Sequence, residues 1–448
     1  MGFFFLKINL FLKNFFYEIS CHPRCSGNEK HLRNYIQEHY AKKNNFQFKI
    51  DKVGNILVNI PPTKGYEKKP TIVIQNHLDM VCVKKETHKH DFEKDPIQLI
   101  KDESGDWIKA NFTSLGVDNG LGMAHALALG IDKNVNHGPL ELLFTVEEET
   151  TFKGVFNLSP KWLTGNYLIN VDSSWIDGIT VGSSAGVDVE NTLEPKFEYA
   201  PSNHHIYVIK LFGMIGGHST VDIDKHRANS IKIMIRILFY LSKDDNQWFR
   251  LINLKSNSES GIPNSGLIYI SLEPKNEDLL IKLLEEIMTL IKNEYLTSDP
   301  KLSYKLQKEN KEIIRVLSKK DEIKIMKLLQ IYPDGVLSME SDYPNTVQTS
   351  ICLSDINLED GEFSIESSIS SSSESAIENG ILTIKSLMKL VKGTTDVSNP
   401  YPGWKPNLNS NLLKIAKETY KELFNENPKV SSIHGGLETG VSMLYSFL

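Results

Sequence analysis

Three short stretches in the first half of the chain run into residues that bind metals or move protons. TIVIQN (71–76) leads into His77 and Asp79, LELLFTV (140–146) into Glu147, Glu148 and Glu149, and YLINV (167–171) into Asp172. A fourth contributor, Asp118 in SLGVDNGLGMA, stands where a helix begins. His77 and Asp79 are two residues apart, so on an extended chain both side chains point the same way. An imidazole could then hold a metal while the carboxylate holds its ring. Taken singly, each residue has a plainer role. A strand-end aspartate usually caps a turn, an acidic triplet usually faces solvent, and a lone histidine usually sits satisfied in the interior. Four segments polar at one sheet edge argue for more, and histidine with carboxylates suits hard-to-borderline divalent cations, zinc first.

The elements that must bring these residues together are legible in the hydrophobic pattern. NILVNI, TIVIQN, LELLFTV and YLINVD read as strands, and GLGMAHALALGI reads as a helix. Strands alternating with helices make a largely parallel sheet with covered faces. In such sheets ligands sit beyond the carboxyl ends of the strands. Over 206–293 the texture changes to an α+β mixture: IYVIKLFGMIGG and GLIYISLEP as strands, ANSIKIMIRILFYLS and EDLLIKLLEEIMTLIKN as helices. ESSISSSSESA (366–376) reads as a strand end passing into a helix N-cap, because apolar periodicity resumes in ILTIKSLMKLV. YPGWKP (401–406) punctuates the chain before a further helix in NLNSNLLKIAKETYKELF.

The bulk properties set limits. At 448 residues two domains are expected, and 40% hydrophobic with 24% charged residues is ordinary for a globular protein. A net charge of −6 gives no sign of a nucleic-acid partner. Cys21, Cys25, Cys82 and Cys352 are too few for a disulfide scaffold; free thiols in a reducing, cytoplasmic compartment are expected. MGFFFLKINLFLKNFF is broken by Lys7, Asn9, Lys13 and Asn14 and precedes no small-residue cleavage site. It predicts an amphipathic first helix docked on the body, not a membrane span. GLGMAH lacks the third glycine of a dinucleotide fingerprint, so its glycines serve a turn and close packing. Phosphate-loop and HExxH motifs are absent from the sequence.

HLDM, LGVDNGLGMA, the EE pair after LLFTV, NVDS and GMIGGHST resemble, in that order, the motifs of the M20 metallopeptidases. DKVGNILV, HDFEKDPIQLI, NHGPLELLFTVEE, YPGWKPN and IHGGLETG resemble the aminoacylhistidine dipeptidase subgroup, so the likeness runs from about residue 15 to 440. The resemblance implies an α/β fold: a zinc-peptidase-like catalytic domain (1–188 and 398–448) with a mostly parallel central sheet, interrupted by an inserted α+β lid domain (189–397). It implies a dipeptide substrate, Xaa-His or broader, and a dinuclear site of zinc, with manganese or cobalt as alternatives. His77, Asp118, Glu149 and Asp172 become the ligands, with Asp118 bridging. Glu148 becomes the general base, Asp79 the carboxylate that orients His77, and His218 the residue that reaches the substrate carbonyl. A homodimer is compatible with the family; a nucleic-acid or membrane partner is not expected.

The sequence also departs from the family. Nothing after His434 matches the last zinc-binding histidine, so one ion is expected to lack a protein ligand; His434 corresponds to a different family position. Glu366 in SIESSIS replaces an arginine suited to gripping a substrate carboxylate. In SGIPN, Ser260 and Asn264 replace an asparagine and an arginine, and Ser174 replaces an acidic residue. Two other readings follow: a related N-acyl amidohydrolase, or an impaired or truncated homologue with a binding role.

Overall fold

The computed structural model describes residues 4–5, 10–85, 87–159, 161–173, 178–242, 248–257, 261–309, 315–341, 345–359 and 361–443. Ser174 and Ser260 lie outside them. The chain forms two compact units: residues 1–179, 408–430 and 438–448 make the first, and 180–407 with 431–437 the second.

The first unit begins with helix α1 (Leu10–Ser20), whose Leu12, Phe16 and Ile19 recur on one face and are buried. Five strands follow as a sheet: β1 (Gln47–Ile50), β2 (Ile56–Ile60), β3 (Ile72–His77), β4 (Leu140–Thr145) and β5 (Tyr167–Asn170). Their spatial order is β1-β2-β4-β3-β5. Strands β4, β3 and β5 run parallel, whereas β2 is antiparallel to both β1 and β4. The hairpin has a local cause. Asp51 Oδ1 accepts the N–H groups of Val53, Gly54 and Asn55, and so short a turn can only join antiparallel strands. Strand β1 is largely exposed, which explains why only β2 of this pair shows in the hydrophobic pattern.

Both faces of this sheet are covered. Ile56, Val58, Ile74, Leu142 and Phe144 pack with α1 and with α2 (Val117–Ile131) on one face. The alternate residues Leu57, Val73 and Leu143 pack with Val155, Leu158 and Val441 on the other. Burial on both sides is why these strands read as continuous apolar runs.

The second unit is built, among the described residues, on a nine-stranded antiparallel sheet. Its centre includes β6 (Ala185–Leu193), β7 (His205–Phe212), β8 (Phe249–Asn257), β9 (Ser265–Leu272), β10 (Val347–Glu359) and β11 (Glu362–Ser371). Helices 230–241 and 277–294, expected from their periodicity, bury Ile231, Ile235, Leu238, Leu284 and Ile291 in its core. The serine-rich stretch is the end of β11 followed directly by the helix Glu374–Val391. No described helix is long and apolar enough to cross a membrane.

The cysteine expectation is corrected. Cys25 and Cys82 form a disulfide, with Cα atoms 5.7 Å apart, while Cys21 and Cys352 are free. A backbone bridge between Cys25 and Met80 lays the two segments side by side, so the pairing spans 57 residues and ignores the nearer Cys21.

The glycines of the LGVDNGLGMA turn act as their spacing suggests. Gly116 takes φ 71° at the helix entry. A Cβ on Gly122 would press on the side-chain oxygens of Asn119 and Asn76 and on the Val171 carbonyl. Gly122→Ala should therefore lower stability by roughly 1–3 kcal/mol, read as a lower urea midpoint with unchanged slope.

Candidate metal centre

The site is an edge created by strand direction. Because β4, β3 and β5 are parallel and in register (His77 beside Thr145, Gln75 beside Asn170), their carboxyl ends finish together. His77 closes β3 and is fully buried. Glu147, Glu148 and Glu149 follow β4, and Asp172 follows β5. Asp118 arrives from the entry of α2, where it and Asn119 have non-helical backbone angles and the peptide bond between them is cis.

These residues converge on the imidazole. His77 Nε2 is 2.8 Å from Asp118 Oδ1, 3.8 Å from Asp172 Oδ1 and 4.0 Å from Glu148 Oε2. The ligand-type atoms of His77, Asp118 and Asp172 lie within 4.8 Å of one another, and so do those of His77, Glu148 and Glu149. On the other side of the ring, Asp79 Oδ1 is 3.3 Å from Nδ1. Asp79 also accepts the N–H groups of Glu148 (3.0 Å) and Glu149 (3.1 Å) and the Ser26 hydroxyl (2.7 Å). One buried carboxylate thus ties the end of β3 to the acidic turn.

The acidic triplet is divided. Glu147, at φ 52°, pairs with Lys153, whereas Glu148 and Glu149 face His77. Asp172 is held by the Asn119 amide at 2.9 Å.

The electrostatics describe a site short of positive charge. Burial, then the nearby carboxylates, push Glu148 well above the usual range and Glu149 to about 7. Burial alone would lower His77, but Asp118, Asp172 and Asp79 outweigh it and raise the imidazole well above its ordinary value. Asp172 and Asp79 go the other way: burial opposes it, but the His77 ring holds both low. One imidazole among crowded carboxylates fits a hard-to-borderline divalent cation by donor type and by charge.

Three buried residues that support this edge escape the sequence reading. Arg24 is buried, and its guanidinium donates to the carbonyls of Leu78, Asp79 and Gly116, joining the two loops that carry His77 and Asp118. Burial lowers its pKa to about 10, against the pull of Asp79, Asp118 and Glu149. Glu29 Oε1 accepts the N–H of Glu147 at 3.0 Å. Glu438 lies beneath the edge, accepting from Gln75 (3.2 Å) and Thr145 (2.8 Å), and burial raises it to about 8. The stretches HPRCSGNE and IHGGLETG carry these residues, but composition gives no sign that they fold inward.

His218 and His434 belong to the second unit. His218 ends a short strand, and its Nδ1 meets the Thr220 hydroxyl at 2.9 Å. Both ring nitrogens of buried His434 engage serines, Nδ1 with Ser184 at 3.1 Å and Nε2 with Ser350 at 2.6 Å. His434 is an interior hydrogen-bonding histidine. Glu366 lies on β11 between Glu190 of β6 and Asp355 of β10. Burial, then Asp355, Glu190 and Asp188, raise its pKa.

Two outcomes follow. Asp79→Ala should weaken divalent-cation binding by about 10- to 100-fold, measured by calorimetric titration of the metal-free chain, whereas Glu147→Ala should leave it nearly unchanged. The metal-free fold should also lose stability between about pH 5 and 8. Glu149 and Glu438, raised from 4.5 to about 7 and about 8, stabilise the fold while protonated and lose that contribution as they ionise. Raised His77 has the same sign, since its contribution is complete below 6.5 and disappears as pH rises through its folded value. Depressed Asp79 and Asp172 act only at acid pH, below 3.8. A cation needs the deprotonated donors, so thermal melts at pH 5.5 and 8, with and without added zinc, should show the larger zinc-induced rise at pH 8.

No protein-family model matches the chain. It is 35% identical over 431 residues to the cytosol non-specific dipeptidase of Escherichia coli K12, a match spanning 96% of this chain and 88% of the relative. The crystal structure of aminoacylhistidine dipeptidase from Vibrio alginolyticus superposes with a TM-score of 0.77 at 30% identity, covering 96% and 87% of the two chains. A tripeptidase from Staphylococcus aureus, at 15% identity and a TM-score of 0.53 over 97% and 87%, shares the fold.

Proposed function

The chain belongs to the M20 metallopeptidases, hydrolases of peptide bonds, and on that premise we propose that it is a dipeptidase working through a dinuclear zinc centre. The observation that carries the reading is the convergence of His77, Asp118, Asp172, Glu148 and Glu149, from four separate segments, within ligand distance of a shared imidazole. The names of its relatives, which include a non-specific dipeptidase and an aminoacylhistidine dipeptidase, support the substrate class. The cytosolic relative also supports a cytoplasmic location.

His77, Asp118, Glu149 and Asp172 would hold the ions. When bound, the ions lower the pKa of water and polarise the scissile carbonyl. The chain's own groups do the rest. Glu148 takes a proton from the attacking water and delivers it to the leaving amine nitrogen. Asp79 fixes the His77 ring through Nδ1 and fixes the turn carrying Glu148 through its backbone N–H.

Glu148→Gln should reduce kcat by about 10²- to 10⁴-fold while the protein still binds zinc. The test is turnover of a dipeptide panel, Xaa-His included, beside N-acyl amino acids, with metal content measured on the same samples. Dipeptide hydrolysis that survives both chelation and Glu148→Gln would refute the mechanism. Cleavage confined to N-acyl amino acids would replace the substrate class, and zinc binding without turnover of any amide would leave a binding protein.

A further inference from the structure

Within the first unit the metal edge opens onto a groove of about 560 Å³ that the mechanism above does not use. Asp118 and Glu149 belong to its lining, so anything held there lies beside the reacting bond. Its floor is a ribbon made by the two segments that leave the site. Ser114 N donates to the Val83 carbonyl at 2.8 Å and Lys85 N to the Phe112 carbonyl at 3.0 Å, while the Ser114 hydroxyl donates to the Val81 carbonyl at 2.6 Å. The ribbon is therefore continuous with His77–Asp79 on one side and with Asp118 on the other.

Two kinds of side chain line this ribbon. Val81, Val83 and Phe112 are 49%, 60% and 46% exposed, a set of apolar groups left open beside a charged centre. Lys84, Lys85 and Lys109 line the same groove. The Lys84 ammonium is anchored on the His90 carbonyl, and that of Lys85 lies 4.5 Å from the Phe112 ring centroid. Among the described residues none of the three forms an ion pair within 4 Å, although the Lys84 charge helps hold Asp91 low. Lys42, Lys94, Lys153 and Lys225, by contrast, each have one within 4 Å. Three ammonium groups with no ion pair within 4 Å among the described residues, set over an apolar floor, match one ligand chemistry, a short apolar stem ending in a carboxylate.

We propose that this groove is a specificity pocket for an acidic residue, so that the preferred dipeptides carry aspartate or glutamate on one side of the scissile bond. The proposal rests on the dipeptidase reading. Phe112 and the valines take the methylenes, and Lys84 and Lys109 take the carboxylate.

The first test compares kcat/KM for Ala-Glu against Ala-Gln, and for Glu-Ala against Gln-Ala. The acid should be preferred about 3- to 10-fold in one of the two positions, as expected for partly exposed ion pairs, chiefly through KM. Raising the salt from 0.05 to 0.5 M should shrink the ratio. In Lys84→Met/Lys109→Met the ratio should fall to about one, whereas Lys49→Met, which removes one charge from β1, should keep it. Equal rates for acid and amide, or a preference that survives the double substitution, would overturn the proposal and leave the dipeptidase reading intact. If no dipeptide is cleaved, that reading fails. The groove is then judged by calorimetric titration of the zinc-loaded chain with N-acetyl-glutamate and N-acetyl-glutamine. Tighter binding of the acid, lost in the double variant, supports it, and equal binding overturns it.

Discussion

Asp79 is the carboxylate on which the candidate centre depends. Both of its oxygens are used: Oδ1 lies against His77 Nδ1 and the Glu148 N–H, and Oδ2 takes the Glu149 N–H and the Ser26 hydroxyl. A strand end, an acidic turn and the segment after α1 are thereby fixed to one buried group. Without it, β3 and β4 would still finish side by side, but the turn after β4 would have no reason to aim two glutamates at the imidazole. Arg24 performs the same service for backbone, clamping the loop after β3 to the entry of α2 through three carbonyls. A buried guanidinium with only carbonyl partners is tolerable because the carboxylates nearby offset its charge.

This arrangement gathers negative charge that folding alone does not neutralise. Asp79 and Asp172 stay low because each has hydrogen-bond donors and the His77 ring, whereas burial and neighbouring carboxylates raise Glu148, Glu149 and Glu438. The same crowding that makes the metal-free fold pH-sensitive makes the edge a cation site. Stability and metal affinity are thus two readings of one charge distribution.

Much of this was legible because it follows from local pattern. Buried parallel strands announce themselves as apolar runs, and a residue just past such a run must lie at the sheet edge; that places His77, the 147–149 triplet and Asp172, while the choice of Glu148 and Glu149 within the triplet came from the family resemblance. Asp118 was legible as a carboxylate at the turn where a helix begins. What stayed hidden depends on distant partners. Arg24 and Glu438 are ordinary charged residues until the fold buries them, and Cys25 finds Cys82 only because a bridge to Met80 aligns their segments. The division of the acidic triplet was also hidden, since Glu147 is turned away by a left-handed backbone angle and Lys153. Strand β1 was missed because its exposed face removes the apolar signal.

Glu366 carries the last step of the synthesis. Its cross-strand neighbours are Glu190 and Asp355, with Asp188 close enough to raise its pKa further. Like charges directly opposite on adjacent strands repel, so this row is anionic by construction and cannot grip a substrate carboxylate as an arginine would. A dipeptide still carries a carboxylate that must be balanced when water is displaced from it. Lys84, Lys85 and Lys109 line a groove that includes two metal-ligand candidates, and among the described residues none of them forms an ion pair within 4 Å. Lysines on a ribbon recognise an anion differently from an arginine. A planar fork fixes one carboxylate in one orientation, whereas flexible ammonium groups offer diffuse, salt-sensitive attraction that a second carboxylate can share. A groove lined this way selects ligands by their negative charge more than by the geometry of one terminus.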